Sequence, residues 1–305
     1  SRGLKTGTAQ KCAEVVSESE RKIDGGLAMN REEVLFLEEK SRRIRALTMD
    51  SIGKLGVGHV GGCLSVVDAL VVLYYREMKI DPAKPDMEGR DRLVLSKGHA
   101  GPALYAVLAD KGYFDVSQLD TLNRPGTLLP SHCDMLRTRG IDMTAGSLGQ
   151  GFSCAAGMAK GSKIKKDQAR IFTIIGDGES QEGQIWEAAM FAAHQKLGNL
   201  IAFTDYNKFQ IDGSTADIMG LDPLDAKWRA FGWNVLVVAD GHDVQAIADA
   251  VAEAGKSPDK PTMIILHTIK GKGVKFAEEA GAANHNMPVT EAQRIQALRD
   301  LGQEA

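Results

Sequence analysis

The stretch IFTIIGDGE, residues 171–179, decides the fold class of this chain. Its apolar, β-branched first half predicts a buried strand that ends at Gly176. A helical pattern follows over residues 181–196, and residues 200–204 predict a second strand that runs into DYNKF at 205–209. A strand, a helix and a strand in this order predict a parallel pair within an α/β sheet.

The rest of the chain continues the same alternation. Further strands are predicted at residues 92–95, 233–238 and 263–266, and further helices at 100–111, 149–164 and 244–254. Helical spacing of apolar residues also begins at Arg31, in a helix that Gly53 and Gly56 are predicted to end, and returns over 64–78. We therefore predict a mostly parallel sheet with helices on both faces and a helical N-terminal extension.

The composition is that of an ordinary globular protein. Of 305 residues, 43% are hydrophobic and 25% are charged, and 37 basic against 40 acidic residues give a net charge of −3. This balance argues against nucleic acid as the main partner. No apolar run approaches the roughly 18 residues of a membrane span, and the first residues lack a signal core. Residues 1–30 are predicted to form a loose arm and residues 31–305 a single domain.

The cysteines give a further expectation about location. Cys12, Cys63, Cys133 and Cys154 are far apart in sequence and lack the close spacing of a zinc knuckle or a redox dithiol. We therefore expect reduced, mostly buried thiols in a cytoplasmic protein.

Polar residues follow both strands of the central unit. Asp177 and Asn207 lie 30 residues apart, the length of one crossover, so their strand ends are predicted to lie side by side. Gly176 and Gly178 allow a tight turn with free N–H groups near a helix start, which suits a diphosphate. A carboxylate, an amide oxygen and a backbone carbonyl suit Mg²⁺ or Ca²⁺ and not zinc.

Taken together, these motifs resemble the diphosphate-binding motif of thiamine-diphosphate enzymes. Three segments narrow the choice of family, because their sequences resemble those of transketolase. They are GDGESQEG at 176–183, KLGNLI at 196–201 and IDG at 211–213. The resemblance covers nearly the whole chain, and further matching segments are GH at 58–59, DRLVLSKGHA at 91–100, TAGSLGQG at 144–151, KGKG at 270–273 and His285.

The resemblance implies how thiamine diphosphate and its metal are bound. Asp177 and Asn207 would bind the metal through their side chains, and Phe209 through its carbonyl. The Gly178 N–H group and His99 would hold the diphosphate. Gly176 belongs to the same predicted cofactor site.

The same resemblance implies which residues take part in the reaction. His59 and His285 would face the thiazolium ring and the substrate, stabilise developing oxyanions and move protons. His132 would form a hydrogen bond to the donor ketose near its C1 hydroxyl. His194, His242 and His267 match no such position and are predicted to be structural.

Other implied positions lie at the edge of the site. Glu182 and Glu187 would lie at a subunit interface, in a carboxylate network near the catalytic glutamate, and Glu182 is counted among the catalytic and cofactor-binding residues. Leu148, Gly149 and Ile211 would contact the cofactor.

The implied activity is transfer of a two-carbon ketol unit from a ketose to an aldose, or between their phosphates. Transketolases continue beyond the equivalent of Ala305 with a domain that binds the pyrimidine ring and supplies the activating glutamate. We therefore expect the N-terminal half of a split transketolase, which pairs with a C-terminal partner subunit in two copies of each chain, or else a truncated piece of a longer chain.

Two alternative functions are a 1-deoxyxylulose-phosphate-synthase-like enzyme and a non-catalytic regulatory subunit. The sugar stays open.

Overall fold

The computed structural model describes residues 29–303, and its centre is a parallel five-stranded sheet. The chain contributes, in order, the strands β1 (Val57–Gly58), β2 (Arg92–Leu95), β3 (Ile171–Gly176), β4 (Leu200–Tyr206), β5 (Phe209–Gln210), β6 (Gly213–Ser214), β7 (Asn234–Val238), β8 (Thr262–His267) and β9 (Met287–Pro288). The central sheet has the order β2-β3-β4-β8-β7, while β1 pairs with β9 and β5 with β6 in short antiparallel ribbons. The predicted α/β class is confirmed.

Helices cover both faces of this sheet. They are α1 (Arg31–Leu55), α2 (Val60–Ser65), α3 (Val67–Val72), α4 (Gly101–Asp110), α5 (Gln150–Lys165), α6 (Gly183–His194), α7 (Thr215–Ile218), α8 (Leu224–Ala230), α9 (Val244–Ala254), α10 (Lys275–Glu279) and α11 (Glu291–Asp300). One core joins α1, α3, α4 and α9 to the sheet, and a second joins α5, α6 and α8 to its other face.

The strand sequences explain why both faces are covered. Side chains alternate between the two faces, so Phe172 and Ile174 of β3 point into one core while Ile171 and Ile175 point into the other. A strand that is apolar on both sides is stable only when both sides are packed.

The first helix begins and ends by local rules, with one correction. Asn30 caps α1 in a capping box with Glu33, and Gly56 ends it with φ of 90° in the left-handed region. The prediction that Gly53 also ends the helix is wrong, because Gly53 lies within it. A Cβ at Gly53 would come within 2.4 Å of the Arg294 side chain, so glycine there allows α11 to approach closely.

Two predicted boundaries differ for physical reasons. The apolar stretch over 64–78 is not one helix: it divides between α2 and α3 at Val66 and finishes in a π-helical turn, Leu73–Glu77. The helix predicted from residue 181 begins at Gly183, because residues 178–181 form a 3₁₀ turn. The region from 123 to 147 contains no helix or strand.

Other predictions concern the ends of the chain and its thiols. Cys63, Cys133 and Cys154 are free, whereas Cys12 lies outside the described residues. Most of the predicted arm lies outside them too. Within 29–303, no helix is both long enough and apolar enough to cross a bilayer.

Candidate active site at the carboxyl ends of the strands

The carboxyl ends of β3 and β4 lie side by side, as their spacing predicts. Gly176 is paired in register with Asp205, so the residues that follow the two strands meet at one edge of the sheet. The Asp177 carboxylate accepts hydrogen bonds from the backbone N–H groups of Gly178, at 2.8 Å, and Lys208. The Asn207 Oδ1 accepts one from the Phe209 N–H at 3.1 Å.

These oxygen atoms fit a hard divalent cation. Asp177 is buried, and burial together with the negative charge of Asp205 raises its pKa to about 7. A cation beside this carboxylate would relieve both effects. Among residues 29–303 no cluster of three His, Cys, Asp or Glu side chains suits a metal. The Asp177 carboxylate and the Asn207 amide oxygen, with the Phe209 carbonyl predicted from the sequence, are of the chemical type that suits Mg²⁺ or Ca²⁺.

Below this edge lies a buried charged pair. Lys97, which follows β2, forms an ion pair with Asp205, and both side chains are at most 2% exposed. Asp205 also accepts hydrogen bonds from Ser65 (2.6 Å), Thr268 and Asn207 (3.1 Å). Burial alone would raise the pKa of Asp205, but Lys97, Ser65 and Thr268 keep it below its ordinary value. Asp205 therefore holds Lys97 and Asn207 in fixed positions.

A third buried carboxylate, that of Glu179, connects a loop to the strand end. Glu179 accepts hydrogen bonds from Ser96 Oγ, from the Gly149 N–H at 2.8 Å and from the Gly176 N–H at 3.0 Å. Gly149 has φ of 84°, in the left-handed region, so the loop before α5 turns sharply where Glu179 holds it. The carbonyl of Leu148 accepts from the Gln184 side chain at 3.0 Å.

Four histidines from distant parts of the chain meet above this edge. The ring centroid of His59 lies 5.3 Å from that of His99 and 5.5 Å from those of His132 and His285. His99 and His285 are 5.1 Å apart. The structure thus brings together the four histidines that the sequence analysis assigned to the site.

Burial and positive neighbours keep these imidazoles neutral. Burial, His132 and Lys97 lower the pKa of His59 to about 4, and burial with Lys270 lowers that of His285 to about 4. The pKa of His99 falls well below its ordinary value for the same reasons, led by burial. Neutral imidazoles can both donate and accept hydrogen bonds, which a reaction at a carbonyl and its hydroxyls requires.

Lys270 is a buried cation of an unusual kind. It is 4% exposed, and within residues 29–303 no carboxylate lies at ion-pair distance from it. Its Nζ lies 3.5 Å from His285 Nδ1. Burial and the charge of Lys97 lower its pKa to about 8. Because a buried ammonium without a paired carboxylate is suited to bind an anion, Lys270 marks a candidate anion site.

Two glycines at the start of α2 make this crowding possible. A Cβ at Gly62 would lie 3.2 Å from His99 Nε2 and 3.4 Å from Lys97 Nζ. At Gly61 it would lie 2.0 Å from Asn284 Oδ1 and 2.8 Å from Lys270. Larger residues at either position would displace the side chains that surround the anion site.

A cavity opens beside His59. Its volume is about 190 Å³, and it is lined by the polar side chains of Asn123, Ser131 and Asn286 and by the apolar Ile52, Leu55 and Pro102. Ser131 Oγ lies 3.0 Å from His132 Nδ1, so this wall also fixes the His132 ring.

Three predicted positions lie at the rim and outside the histidine cluster. Glu182 is exposed at the start of α6, and Glu187 is exposed one turn further along. Ile211 is 64% exposed in the ribbon between β5 and β6. Within residues 29–303, none of the three forms a hydrogen bond or an ion pair with the four histidines.

No role was predicted from the sequence for four residues of this site, although each lies in a motif of the family: Lys97, Glu179, Asp205 and Lys270. One signal was available, since a charged residue within or next to an apolar buried strand requires a buried partner. The identity of each partner was not available, because Lys97 and Asp205 are separated by 108 residues.

Comparison with known proteins agrees with this arrangement. Residues 38–305 match the family described as "Transketolase, thiamine diphosphate binding domain". The chain is 59% identical over 273 residues to a 6-deoxy-6-sulfo-D-fructose transketolase subunit of Clostridium sp. (strain MSTE9), covering 90% of this chain and 98% of that one. It is 37% identical over 271 residues to an apulose-4-phosphate transketolase subunit of Phocaeicola vulgatus, covering 89% and 95%.

Solved structures give the same relationship. A transketolase from Pichia stipitis in complex with fructose 6-phosphate matches with a TM-score of 0.82 and 32% identity, over 88% of this chain and 41% of that chain. A transketolase from Campylobacter jejuni matches with a TM-score of 0.82 and 32% identity, over 90% and 44%. The chain thus spans about two fifths of these longer transketolases. From its sequence, its fold and the residues at its strand ends, the chain belongs to the transketolase family and carries the thiamine-diphosphate-binding domain of that family.

Proposed function

We propose that this chain is the diphosphate-binding subunit of a two-chain transketolase, which transfers a two-carbon ketol unit from a ketose to an aldose. The observation that carries the proposal is the meeting of four neutral histidines and two buried lysines over the strand ends of Asp177 and Asn207. Anion-binding, metal-binding and proton-transferring groups at one edge of a parallel sheet are typical of a site for a phosphorylated cofactor.

Thiamine diphosphate would be held at its charged end by this chain. The Gly178 N–H group, His99 and Lys270 would bind the diphosphate, and Gly176, Leu148, Gly149 and Ile211 would complete the cofactor site. Mg²⁺ would be bound by Asp177, Asn207 and the Phe209 carbonyl. When bound, thiamine diphosphate supplies the nucleophilic carbon that breaks and forms the carbon–carbon bond.

The histidines would act on the sugar. His59 and His285 are neutral, so each can donate a hydrogen bond to a carbonyl oxygen that gains negative charge, or accept a proton from a hydroxyl group. His132 is held at Nδ1 by Ser131, which leaves Nε2 for the ketose hydroxyl next to the carbonyl. The polar wall of the cavity beside His59 suits further sugar hydroxyls.

A partner chain would supply the rest of the site. This chain spans about two fifths of the longer transketolases, and its two named relatives are subunits. Near the exposed Glu182 and Glu187, α6 also exposes Met190 (56%) and Phe191 (42%). We infer that the partner binds here, brings the pyrimidine pocket and the activating glutamate, and forms a heterotetramer with two copies of each chain. The cytoplasmic location stays a prediction.

The donor sugar is proposed from the relatives. Identity is 59% to the sulfofructose transketolase subunit but 37% to the apulose-4-phosphate one. We therefore propose a ketose that carries a sulfonate at C6 as the donor, with an aldose phosphate as the acceptor.

The test is a ketol-transfer assay on the chain co-purified with its partner subunit, with thiamine diphosphate and Mg²⁺. Faster turnover of 6-deoxy-6-sulfofructose than of fructose 6-phosphate supports the whole proposal, and the reverse order overturns only the choice of sugar. Strong activity of this chain alone would overturn the two-chain assembly. Pyruvate consumption with glyceraldehyde phosphate, and no ketol transfer, would favour the 1-deoxyxylulose-phosphate-synthase alternative.

A further inference from the structure

His242 lies in the turn between β7 and α9 and matches no catalytic motif. Its side chain is 7% exposed, and both ring nitrogens have partners. Nδ1 lies 2.7 Å from the Asp68 carboxylate on α3, and Nε2 accepts a hydrogen bond of 2.8 Å from the backbone N–H of Ile269. The ring therefore joins a buried carboxylate to a backbone amide of the segment that follows β8.

These two contacts define the protonation of the ring. A backbone N–H group can only donate, so Nε2 must carry a lone pair. The hydrogen of the neutral imidazole is then on Nδ1 and is donated to Asp68. Asp68 is an ionised acceptor, since Arg45 and His242 hold its pKa at about 2 although burial opposes this.

The segment held in this way carries two groups of the candidate active site. On one side of Ile269, Thr268 donates to Asp205, and on the other side Lys270 extends toward His285. The Gly271 N–H group donates to the Gly61 carbonyl at 3.1 Å. Between Thr268 and Gly271, the hydrogen bond to His242 fixes the backbone next to Lys270.

We propose that His242, as the neutral Nδ1–H tautomer, is a positioning residue: through the Ile269 N–H group it fixes the backbone that aims Lys270 at the cofactor diphosphate. The inference rests on the proposed function, which gives Lys270 this ligand. Arg45, Asp68, His242 and Ile269 form a continuous chain of hydrogen bonds from the helical layer to the anion site.

Two substitutions of His242 test the contacts of its two ring nitrogens one at a time. In H242N the amide group occupies the Nδ1 position and keeps a donor for Asp68, but the Ile269 N–H loses its acceptor. In H242Q the longer amide places an oxygen near the Nε2 position, where it can accept from Ile269. We expect H242N to weaken binding of thiamine diphosphate with Mg²⁺ about tenfold, and H242Q by less than about threefold.

The measurement is calorimetric titration of the assembled two-chain protein, with D249N as a control because Asp249 lies on the exposed face of α9 and takes no part in this network. In a K270M background, H242N should change the dissociation constant by less than about twofold, because no ammonium remains to be positioned. A merely structural role would lower the melting temperature but would leave affinity unchanged below the transition, and would overturn the inference. So would a full tenfold effect of H242N in K270M.

A measurement without substitutions covers the case in which H242N does not assemble. The ¹⁵N chemical shifts of the His242 ring should be those of a neutral ring protonated at Nδ1, whereas a ring protonated at Nε2 would overturn the inference. If the wild-type protein binds no thiamine diphosphate at all, the proposed function fails. If it binds and H242N binds equally well, only the role of His242 fails.

Discussion

Two parts of the candidate site differ in how complete they are within this chain. The inner edge, defined by Lys97, Asp177, Asp205 and Lys270, is buried. Here Asp177 accepts a hydrogen bond from a backbone N–H group, and Asp205 accepts one from a hydroxyl group and forms an ion pair with Lys97. The outer rim, defined by Glu182, Glu187, Met190, Phe191 and Ile211, is exposed. Under the proposed function, this chain builds the diphosphate end of the site and the partner subunit covers the rim.

Within the inner edge the two lysines also differ. Lys97 is neutralised by Asp205, so its role is partly structural. Lys270 has no carboxylate at ion-pair distance within the described residues, so its charge is available for a ligand.

The largest effect is expected at Asp177. D177A removes the carboxylate that would bind the metal, and ketol transfer by the assembled protein should fall by about 100-fold or more. Steady-state assays at saturating thiamine diphosphate and Mg²⁺ measure this, with D249A on the exposed face of α9 as the matched control. Unchanged turnover in D177A would instead favour a non-catalytic, regulatory subunit.

Substitution of Lys97 should mainly lower stability, whereas substitution of Lys270 should mainly weaken cofactor binding. K97M leaves the buried Asp205 without its counter-ion, although its other hydrogen bonds remain, so the free energy of unfolding should fall by about 3–5 kcal/mol. K270M removes no ion pair, so it should leave stability nearly unchanged but weaken thiamine diphosphate binding about tenfold or more. Urea unfolding and calorimetry measure both variants in parallel. Equal losses of stability would contradict the distinction between the paired and the unpaired lysine.

Neutral histidines make the chain sensitive to acid. The pKa of His59 and of His285 is about 4 in the folded protein and about 6.5 in the unfolded chain. At these two rings the unfolded state therefore binds more protons between these values, and each ring should contribute a loss of stability as pH decreases from about 6.5 to about 4. The raised pKa of Asp177, about 7, contributes in the opposite direction over this range. Urea midpoints across this range measure the slope. H59N and H285N should each flatten it, and an unchanged slope in both variants would show that these rings are not the source.

The smallest effect is expected at the rim. E182Q changes an exposed side chain, so the free energy of unfolding of this chain should change by less than about 0.5 kcal/mol. Its effect should be seen only with the partner chain present, as weaker assembly or slower turnover. Sedimentation of the mixed chains measures assembly, and a clear loss of stability in the unassembled chain would contradict the assignment of Glu182 to the rim.

The sheet could be predicted from the sequence because its signals are local. Residues 171–175 and 200–204 are short, apolar and β-branched, and the crossover length places Asp177 beside Asn207 at one sheet edge. The four histidines could be proposed as neighbours only through a family resemblance, since nothing local links His59 to His285.

The buried contacts of the site could not be predicted, because they join residues that are far apart in the sequence. Lys97 meets Asp205 across 108 residues, and Asp68 meets His242 across 174. No periodicity encodes these pairs. Gly53 gives a further example. Glycine in a sequence is usually a signal that a helix ends, but Gly53 lies within α1, where the absence of a side chain makes room for Arg294 of α11. The position of Glu179 near the start of a helix can be seen in the sequence. Its hydrogen bond from the Gly149 N–H group can be seen only in the folded structure.

The central claim is that this chain binds a diphosphate through a divalent cation at the ends of β3 and β4. Calorimetric titration of the assembled protein with thiamine diphosphate tests it most directly, in Mg²⁺ and again after removal of divalent cations with a chelator. Saturable binding at one site per copy of this chain, lost on chelation and restored by Mg²⁺, is the predicted result. No binding in Mg²⁺, or equal binding without it, would contradict the claim.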